Sequence, residues 1–456
     1  MIEQFIPFAS KMEKEGLPEI VIKNFEYYYK LLLEGQGGFI SEEQIMPVES
    51  LPDMESFPER FEKTGQKALN KCILLKLNGG LGTSMGLEKA KSLLAVKNGL
   101  SFLDIIARQA IACHIPLVLM NSFATQEDSL DTLKQYKELR RDIPSDFLQH
   151  KVPKIRKSDL SPATYPEKPD LEWCPPGHGD IYTSLITSGM LHILLEEGYL
   201  YAFVSNADNL GAVMNKSILG YFSEHNIPFM MEVSDRTEAD KKGGHLAKLP
   251  EGQLILRESA QCLPEEMNLF QDIKRYKYFN TNNLWINLLA LKDLMEKGNN
   301  ILGLPMIRNE KTLNPRDGKS TPVYQLETAM GSAIAVFKGA RAIRVPRTRF
   351  APVKTSSDLL AVRSDAYILT EDFRIIQDPS RKIGQIVIDL DAKYYKLIQD
   401  MERRFPYGIP SLIDCEKLSI KGDIKFGQNV ILKGNVRLVN EDREQVCIED
   451  GSVIEG

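Results

Sequence analysis

From about residue 70 to residue 290 the chain alternates short apolar runs with amphipathic stretches, and this rhythm limits the fold more than any other feature. "CILLKL" (72–77), "IPLVLMN" (115–121), "YAFVSNADN" (201–209), "IPFMMEVS" (227–234) and "NLWINLLAL" (283–291) read as strands. "SFLDIIARQAIA" (101–112) and "SLITSGMLHILLEEG" (184–198) read as helices between them. Strands this apolar need cover on both faces, so the pattern predicts an α/β chain with a mostly parallel sheet. Such sheets bind ligands beyond the carboxyl ends of their strands. Gly79 and Gly80 follow the first strand, Asn121 ends the second and Asp208 follows the third.

The first of those ends is "LNGGLGTSMG" (77–86), with four glycines in ten residues. Each glycine costs conformational entropy on folding, so a cluster implies close approach to the main chain. A P-loop is excluded here because neither "GKS" nor "GKT" follows these glycines, and a dinucleotide fingerprint fails because Met85 stands where the third glycine should be. What remains is a strand, a glycine-rich loop and a helix that expose main-chain N–H groups to an anion or nucleotide. Lys91, five residues after Gly86, either folds over phosphates held there or shares a solvated helix face with Lys89 and Lys97. In "SNADNLGA" (205–212), Asp208 suits a Mg²⁺ ligand, since a hard cation on phosphates takes one or two protein carboxylates. The plainer alternative is an Asx turn. "PPGHGD" (175–180) is a rigid entry into a close-packed loop, with His178 as a hydrogen-bond donor to a sugar or phosphate rather than a base.

The flanks differ. Residues 1–64 read as a helical cap or lid, with "EIVIKNFEYYYKLLLEG" spaced at three and four and Gly35 as its stop. Residues 366–405 read as a connector with a helix near its end. Across 406–456, Leu418, Ile424, Val430 and Val436 are spaced by six, and Ile448 and Ile454 return in register after "NEDREQ". That period predicts a parallel β-helix, with an antiparallel hairpin pair as the alternative. Its few coils need support from the main domain or a partner.

Composition serves to exclude. A net charge of −5 over 456 residues argues against nucleic acid as a partner. The six cysteines are scattered without a CxxC pair, which fits reduced thiols in a cytoplasmic protein. The N-terminus carries no secretory pattern, and no run approaches the roughly 20 apolar residues of a membrane helix.

Seven segments, in this order, resemble the eukaryotic-type UDP-glucose pyrophosphorylase family, the UTP–glucose-1-phosphate uridylyltransferases. They are "LKLNGGLGTSMG" (75–86), "PPGHGD", "VSNADNLGA" (204–212), "EVSDRTEADKKGGHL" (232–246), "FNTNNLWIN" (279–287), "QLETAMGSAI" (325–334) and "FAPVKTSSDLL" (350–360). They span roughly residues 70–360. The related UDP-N-acetylhexosamine pyrophosphorylases open instead on an Ala-Gly-Gly-Gln-Gly type of loop.

The resemblance implies a Rossmann-like, mixed and mostly parallel nucleotidyltransferase domain (GT-A-like) over 65–365. A left-handed parallel β-helix is implied at the C-terminus. It implies that Leu77, Asn78, Gly79 and Gly80 hold the uracil and nucleotide through their backbone. Gln149, in "FLQHKVPKI" (147–155), would read the uracil, with Met120 and Gly177 lining the base pocket. His178 would touch the sugar phosphate, and Asn206 and Asp208 would serve nucleotide and Mg²⁺. Gly244, Asn282 and Glu327 would bind hexose hydroxyls, and Lys91 and Lys354 would clamp phosphates.

The implied partners are UTP, glucose 1-phosphate, UDP-glucose and pyrophosphate, with no nucleic acid and no membrane. A homo-oligomer through the β-helix is also implied. The sugar-phosphate oxygen would attack the α-phosphorus in line, with no general base. A UDP-sugar pyrophosphorylase that also accepts galactose 1-phosphate, an inactive nucleotide-sugar-binding regulator and a β-helix scaffold are the competing readings. Three departures from the family pattern stand out. Ala90 replaces a proline, His245 replaces a threonine, and longer members continue beyond Gly456, which bears on octamer formation.

Overall fold

In the computed structural model, which describes residues 2–442 and 444–456, the apolar runs condense into a ten-stranded sheet. Four strands form a parallel block, in the order Tyr201–Asn206, Cys72–Asn78, Leu117–Asn121 and Asp146–Leu148. Their side chains alternate between two cores. Ile73, Leu75, Ala202 and Val204 enter one, while Cys72, Leu74 and Phe203 enter the other. Burial on both faces is what makes these runs continuously apolar.

The parallel expectation holds for that block and for Phe229–Asp235 beside Arg341–Arg344, but not for the whole sheet. Tyr278–Asn287 runs antiparallel to Tyr201–Asn206 on one side and to Phe229–Asp235 on the other, so the sheet is mixed. Apolar content reports burial, not direction, which is why the sequence did not reveal this. The run "NLWINLLAL" also divides. Its strand stops at Asn287, whose side chain accepts from the backbone N–H of Leu289 and Ala290 and caps the helix Leu288–Lys297. The helical stretch 184–198 divides as well, into Ile181–Thr187 and Met190–Glu196, at Gly189 with φ of +74°. The glycine loop leads into short 3₁₀ turns, Thr83–Met85 and Lys91–Leu93, where a regular helix was expected.

The N-terminal helices Ile6–Lys14 and Glu19–Leu33 pack on Val152, Ile155, Cys174, Met306 and Leu326, and Gly35 follows them in the left-handed region. At the other end, every strand pairing after residue 406 is parallel among the described residues, which removes the hairpin alternative. Leu418, Ile424, Val430 and Val436 are buried, with Ile448 and Ile454 packed beside them. The same apolar cluster includes Met85, Phe102, Leu210 and Val353, so loops and a helix flanking the ten-stranded sheet share one core with the C-terminal strands. Among the described residues no helix is long and apolar enough to cross a membrane, and all six cysteines are free.

Two glycines set one helix crossing. A Cβ on Gly65 would lie 1.8 Å from the Lys216 carbonyl oxygen, and one on Gly220 would lie 1.8 Å from that of Phe61. These residues belong to the helices Glu59–Ala68 and Lys216–Glu224. Gly220→Ala forces the two backbones apart and should cost about 2 kcal/mol. Thermal unfolding will register it as a lower Tm. An unchanged Tm would contradict the close crossing.

Candidate active site

Parallel register brings the carboxyl ends level: Leu77 lies opposite Asn206 and Asn78 opposite Asn121. The loops leaving those ends line a cleft of about 340 Å³. Ten of the residues singled out in the sequence meet there: Leu77, Asn78, Gly79, Gly80, Lys91, Gln149, Gly177, His178, Asn206 and Asp208. Pro175, Ser92 and Ala207 complete the lining.

Each wall has a local reason. The Asn78 side chain turns inward, donating to Asn121 Oδ1 at 2.7 Å and Ser129 Oγ at 2.8 Å, so Asn78 offers the cleft its backbone. Ser122 Oγ donates to the Gly79 carbonyl at 2.9 Å, and Lys91 N–H donates to that of Gly80 at 3.0 Å. A Cβ on Gly79 would stand 2.8 Å from Gln149 Oε1, so the glycine admits the amide against bare backbone. Gln149 is held from two sides. Its N–H donates to Asn121 O at 2.8 Å, and the next N–H, of His150, donates to the buried Asp180 carboxylate at 2.7 Å.

Opposite, Gly177 has φ of +82°, and a Cβ there would sit 2.4 Å from the Thr328 carbonyl oxygen. Only glycine fits. Met330 N–H donates to His178 Nδ1 at 2.9 Å. That bond makes Nδ1 the acceptor and leaves the proton on Nε2. Desolvation at the cleft wall lowers the His178 pKa to about 4. His178 is therefore a neutral donor at physiological pH, with no proton to give as an acid.

Lys91 Nζ lies 2.6 Å from Asp208 Oδ2, with side-chain exposures of 15% and 21%. Among the described residues Asp208 is the one carboxylate in the cleft lining, which suits a hard cation that takes its other oxygens from phosphates. Among the described residues no three His, Cys, Asp or Glu side chains gather as a ligand set.

Five expected residues lie outside the lining. Met120 is 2% exposed, and its side chain packs within the sheet core. Glu327 backs the Gly177 turn, and burial raises its pKa. Lys354 is exposed one residue beyond Val353, whose N–H donates to the Asp208 carbonyl at 3.1 Å. Its ammonium stands 5.9 Å from the Phe350 ring.

Gly244 and Asn282 form a separate group around Asn280, which donates its N–H to Gly244 O at 3.1 Å and its amide to Asn282 Oδ1 at 2.9 Å. Asn282 has φ of +58°, in a bulge opposite Glu232 and Val233. Sequence reasoning missed Glu258 here. A Cβ on Gly244 would stand 2.6 Å from the Glu258 carboxylate, whose pKa burial raises. Nothing around "LRESA" signals that carboxylate; it becomes visible only when Leu254–Arg257 pairs with His245–Lys248. His245 is fully buried, with its ring 3.8 Å from that of Tyr276.

Neutral His178 sets a pH expectation. Its pKa in the fold lies below that of the unfolded chain, so its burial costs nothing above about pH 6.5 and destabilises increasingly as pH falls toward 4. Turnover should therefore show no inflection from His178 between about pH 6 and 8. A kinetic pKa near neutrality that His178→Asn abolishes would overturn the neutral-donor assignment.

Comparison with known proteins follows the same lines. The family model for UTP–glucose-1-phosphate uridylyltransferase matches residues 22–433. A probable UTP–glucose-1-phosphate uridylyltransferase of Schizosaccharomyces pombe is 41% identical over 394 residues, covering 85% of this chain and 76% of the relative. That of Solanum tuberosum is 40% identical over 422 residues, covering 91% and 85%. A mutant UDP-glucose pyrophosphorylase from Leishmania major, solved in complex with UDP-glucose, matches with a TM-score of 0.91 at 43% identity. The match covers 100% of this chain and 98% of that one. A UDP-glucose phosphorylase from Trypanosoma brucei matches with a TM-score of 0.89 at 46% identity over the same shares.

Proposed function

The chain belongs to the UTP–glucose-1-phosphate uridylyltransferase family, and we propose that it converts UTP and glucose 1-phosphate to UDP-glucose and pyrophosphate in this cleft. The observation that carries the reading is convergence. The glycine loop, Gln149, His178 and the Lys91–Asp208 pair line one cavity at the carboxyl ends of parallel strands.

The chemistry asks little of acid–base groups. A phosphate oxygen of the sugar, already ionised, attacks the α-phosphorus of UTP in line, and pyrophosphate departs. The backbone of Leu77 to Gly80 receives the nucleotide, and the Gln149 amide reads the uracil edge. Neutral His178 donates through Nε2 to the sugar phosphate. The Gly244, Glu258 and Asn282 group supports reading the hexose hydroxyls. Asp208 would hold Mg²⁺, which when bound neutralises charge on the phosphates.

Lys91 and Lys354 do the rest. Two polyanions repel each other, and fixed ammonium groups offset that cost in a partly desolvated cleft. Lys91 is charge-matched to Asp208 at 2.6 Å. As phosphates enter, its ammonium would exchange the carboxylate for phosphate oxygens, leaving Asp208 Oδ2 able to hold Mg²⁺. Positioning two substrates in line supplies roughly 7–11 kcal/mol more. Two further parts of the reading concern architecture. The parallel C-terminal strands, with their six-residue inward register, support a left-handed β-helix. Val446 and Val453, exposed on its last strands, support self-association there.

Two measurements test the reading. Pyrophosphate release should be greatest with UTP and glucose 1-phosphate in a panel that includes galactose and N-acetylglucosamine 1-phosphates and the other nucleoside triphosphates. Preference for another sugar would relocate the specificity. Lys354→Ala should lower kcat about 10²-fold or more while melting like the wild type. Full turnover in that variant removes Lys354 from the clamp.

A further inference from the structure

Lys76 takes no part in the reaction as described, yet its burial demands an account. It sits at 0% exposure in the otherwise apolar strand Cys72–Asn78. Among the described residues it makes no ion pair. Its ammonium donates to Ser205 Oγ at 2.6 Å and to the Ala212 carbonyl at 2.9 Å. These two acceptors stand at the two ends of the segment that carries Asp208 away from the sheet. One buried amino group therefore bridges the mouth of the Asp208 loop.

The surroundings extend the same logic. Lys76 Nζ lies 5.8 Å from the centroid of the Phe203 ring, and the Arg349 guanidinium lies 5.7 Å from the same centroid. Arg349 forks onto Glu232 with two bonds of 2.7 Å and donates to the Val213 carbonyl at 3.0 Å. The Arg349 carbonyl accepts from Asn209 Nδ2 at 3.2 Å, and Asn209 Oδ1 accepts from Ala351 N–H at 2.9 Å. A Cβ on Gly211 would lie 2.3 Å from the Thr348 carbonyl oxygen, so this loop is pressed against the 348–353 segment. The segments bearing Asp208 and Lys354 are thus tied to one buried polar network.

We propose that Lys76 is a positioning residue that staples Ser205 to Ala212 and so fixes the Asp208 carboxylate toward the cleft. The proposal rests on the reading of Asp208 as the Mg²⁺ and phosphate residue. Stability alone gives no reason for the group. A buried ammonium held by a hydroxyl and a carbonyl recovers only part of its desolvation cost. Burial and the neighbouring Arg349 charge push its pKa down to about 7, against the attraction of Glu232. A chain under pressure for stability alone would place an apolar side chain there.

Lys76→Met in the full-length enzyme keeps the stem and removes the ammonium. The expected result is a Tm equal to or above that of the wild type, with kcat lowered about 10²-fold by loss of alignment. The Mg²⁺ concentration at half-maximal rate should rise about tenfold. The Michaelis constants for UTP and glucose 1-phosphate should stay close to wild type, a split that a general loss of structure would not produce. A folded variant with wild-type kcat and Mg²⁺ response overturns the proposal.

If Lys76→Met does not fold, Ser205→Ala decides. It keeps the bond to Ala212 and should move kcat and Mg²⁺ response in the same direction by a smaller factor; no change overturns the staple. Asp208→Asn separates the two ideas. An unchanged Mg²⁺ titration there sinks the reading of Asp208 and the staple with it. A Mg²⁺-impaired Asp208→Asn beside an unaffected Lys76→Met sinks the staple alone.

Discussion

The site depends on one register: Leu77 beside Asn206 in parallel strands. Because both strands run the same way and end level, the glycine loop and the Asp208 loop leave the same edge of the sheet. The ladder continues one step into the second loop, where Ala207 N–H donates to the Leu77 carbonyl at 3.0 Å. A slip of one residue would turn Ile73 and Leu75 out of their core and Cys72 and Leu74 into it. Two-sided burial therefore fixes the register, and the register fixes the distance between Lys91 and Asp208. Catalytic geometry here follows from core packing more than from any contact in the cleft.

What the sequence disclosed, and what it hid, divides along this line. The glycine loop, the His178 turn and the Asp208 loop were legible because their demands are local. Gly79 admits an amide against its backbone, and Gly177 needs a positive φ; both appear as residue types in a row. The direction of Tyr278–Asn287 was not legible, since apolar residues report burial and not polarity of the chain. Glu258 was hidden because it reaches Gly244 only once the consecutive strands His245–Lys248 and Leu254–Arg257 pair as a hairpin. Met120 was read as a pocket residue and packs in the core, since a methionine at a strand end carries no mark to tell the two apart. The 3₁₀ turns after Gly82 escaped because lysines at 89 and 91 and leucines at 93 and 94 suit a helix equally well. Loop closure through the Lys91 N–H to Gly80 decided otherwise.

The two terminal regions brace the cleft from opposite sides. Gly86 meets Leu397 of the connector, where a Cβ would stand 3.2 Å from Leu397 Cδ2, and Met85 lies in the core that runs on to Val436. The far end of the glycine loop is thus seated on C-terminal structure. On the other side, Lys151 pairs with Glu15 at 2.5 Å and lies 5.0 Å from the Trp173 ring. Lys151 is two residues from Gln149, so the N-terminal helices support the amide that faces Gly79. Among the described residues neither terminal region contributes to the cleft lining, yet each holds one wall.

Charge buried below the cleft is the less expected part of the design. Glu232 is fully buried, and its oxygens are satisfied by Arg349, Asn283 and Trp285. Burying such a pair gains little net stability, because desolvation offsets most of the attraction, whereas removing one partner alone costs about 3–5 kcal/mol. An apolar core would hold the sheet together as well, but apolar contacts are short in range and indifferent to rotation. Hydrogen bonds from buried side-chain N–H groups to named oxygens are directional. Through Arg349 and Lys76 they reach Ser205, Ala212 and Val213 and, by way of Asn209, the turn before Lys354. On the proposed reading, the Asp208 carboxylate and the Lys91 and Lys354 ammonium groups must keep set separations while highly charged substrates pull on all three. A directional scaffold resists that pull where close packing alone would let the loops slide, and this is the physical return on placing ions in the core.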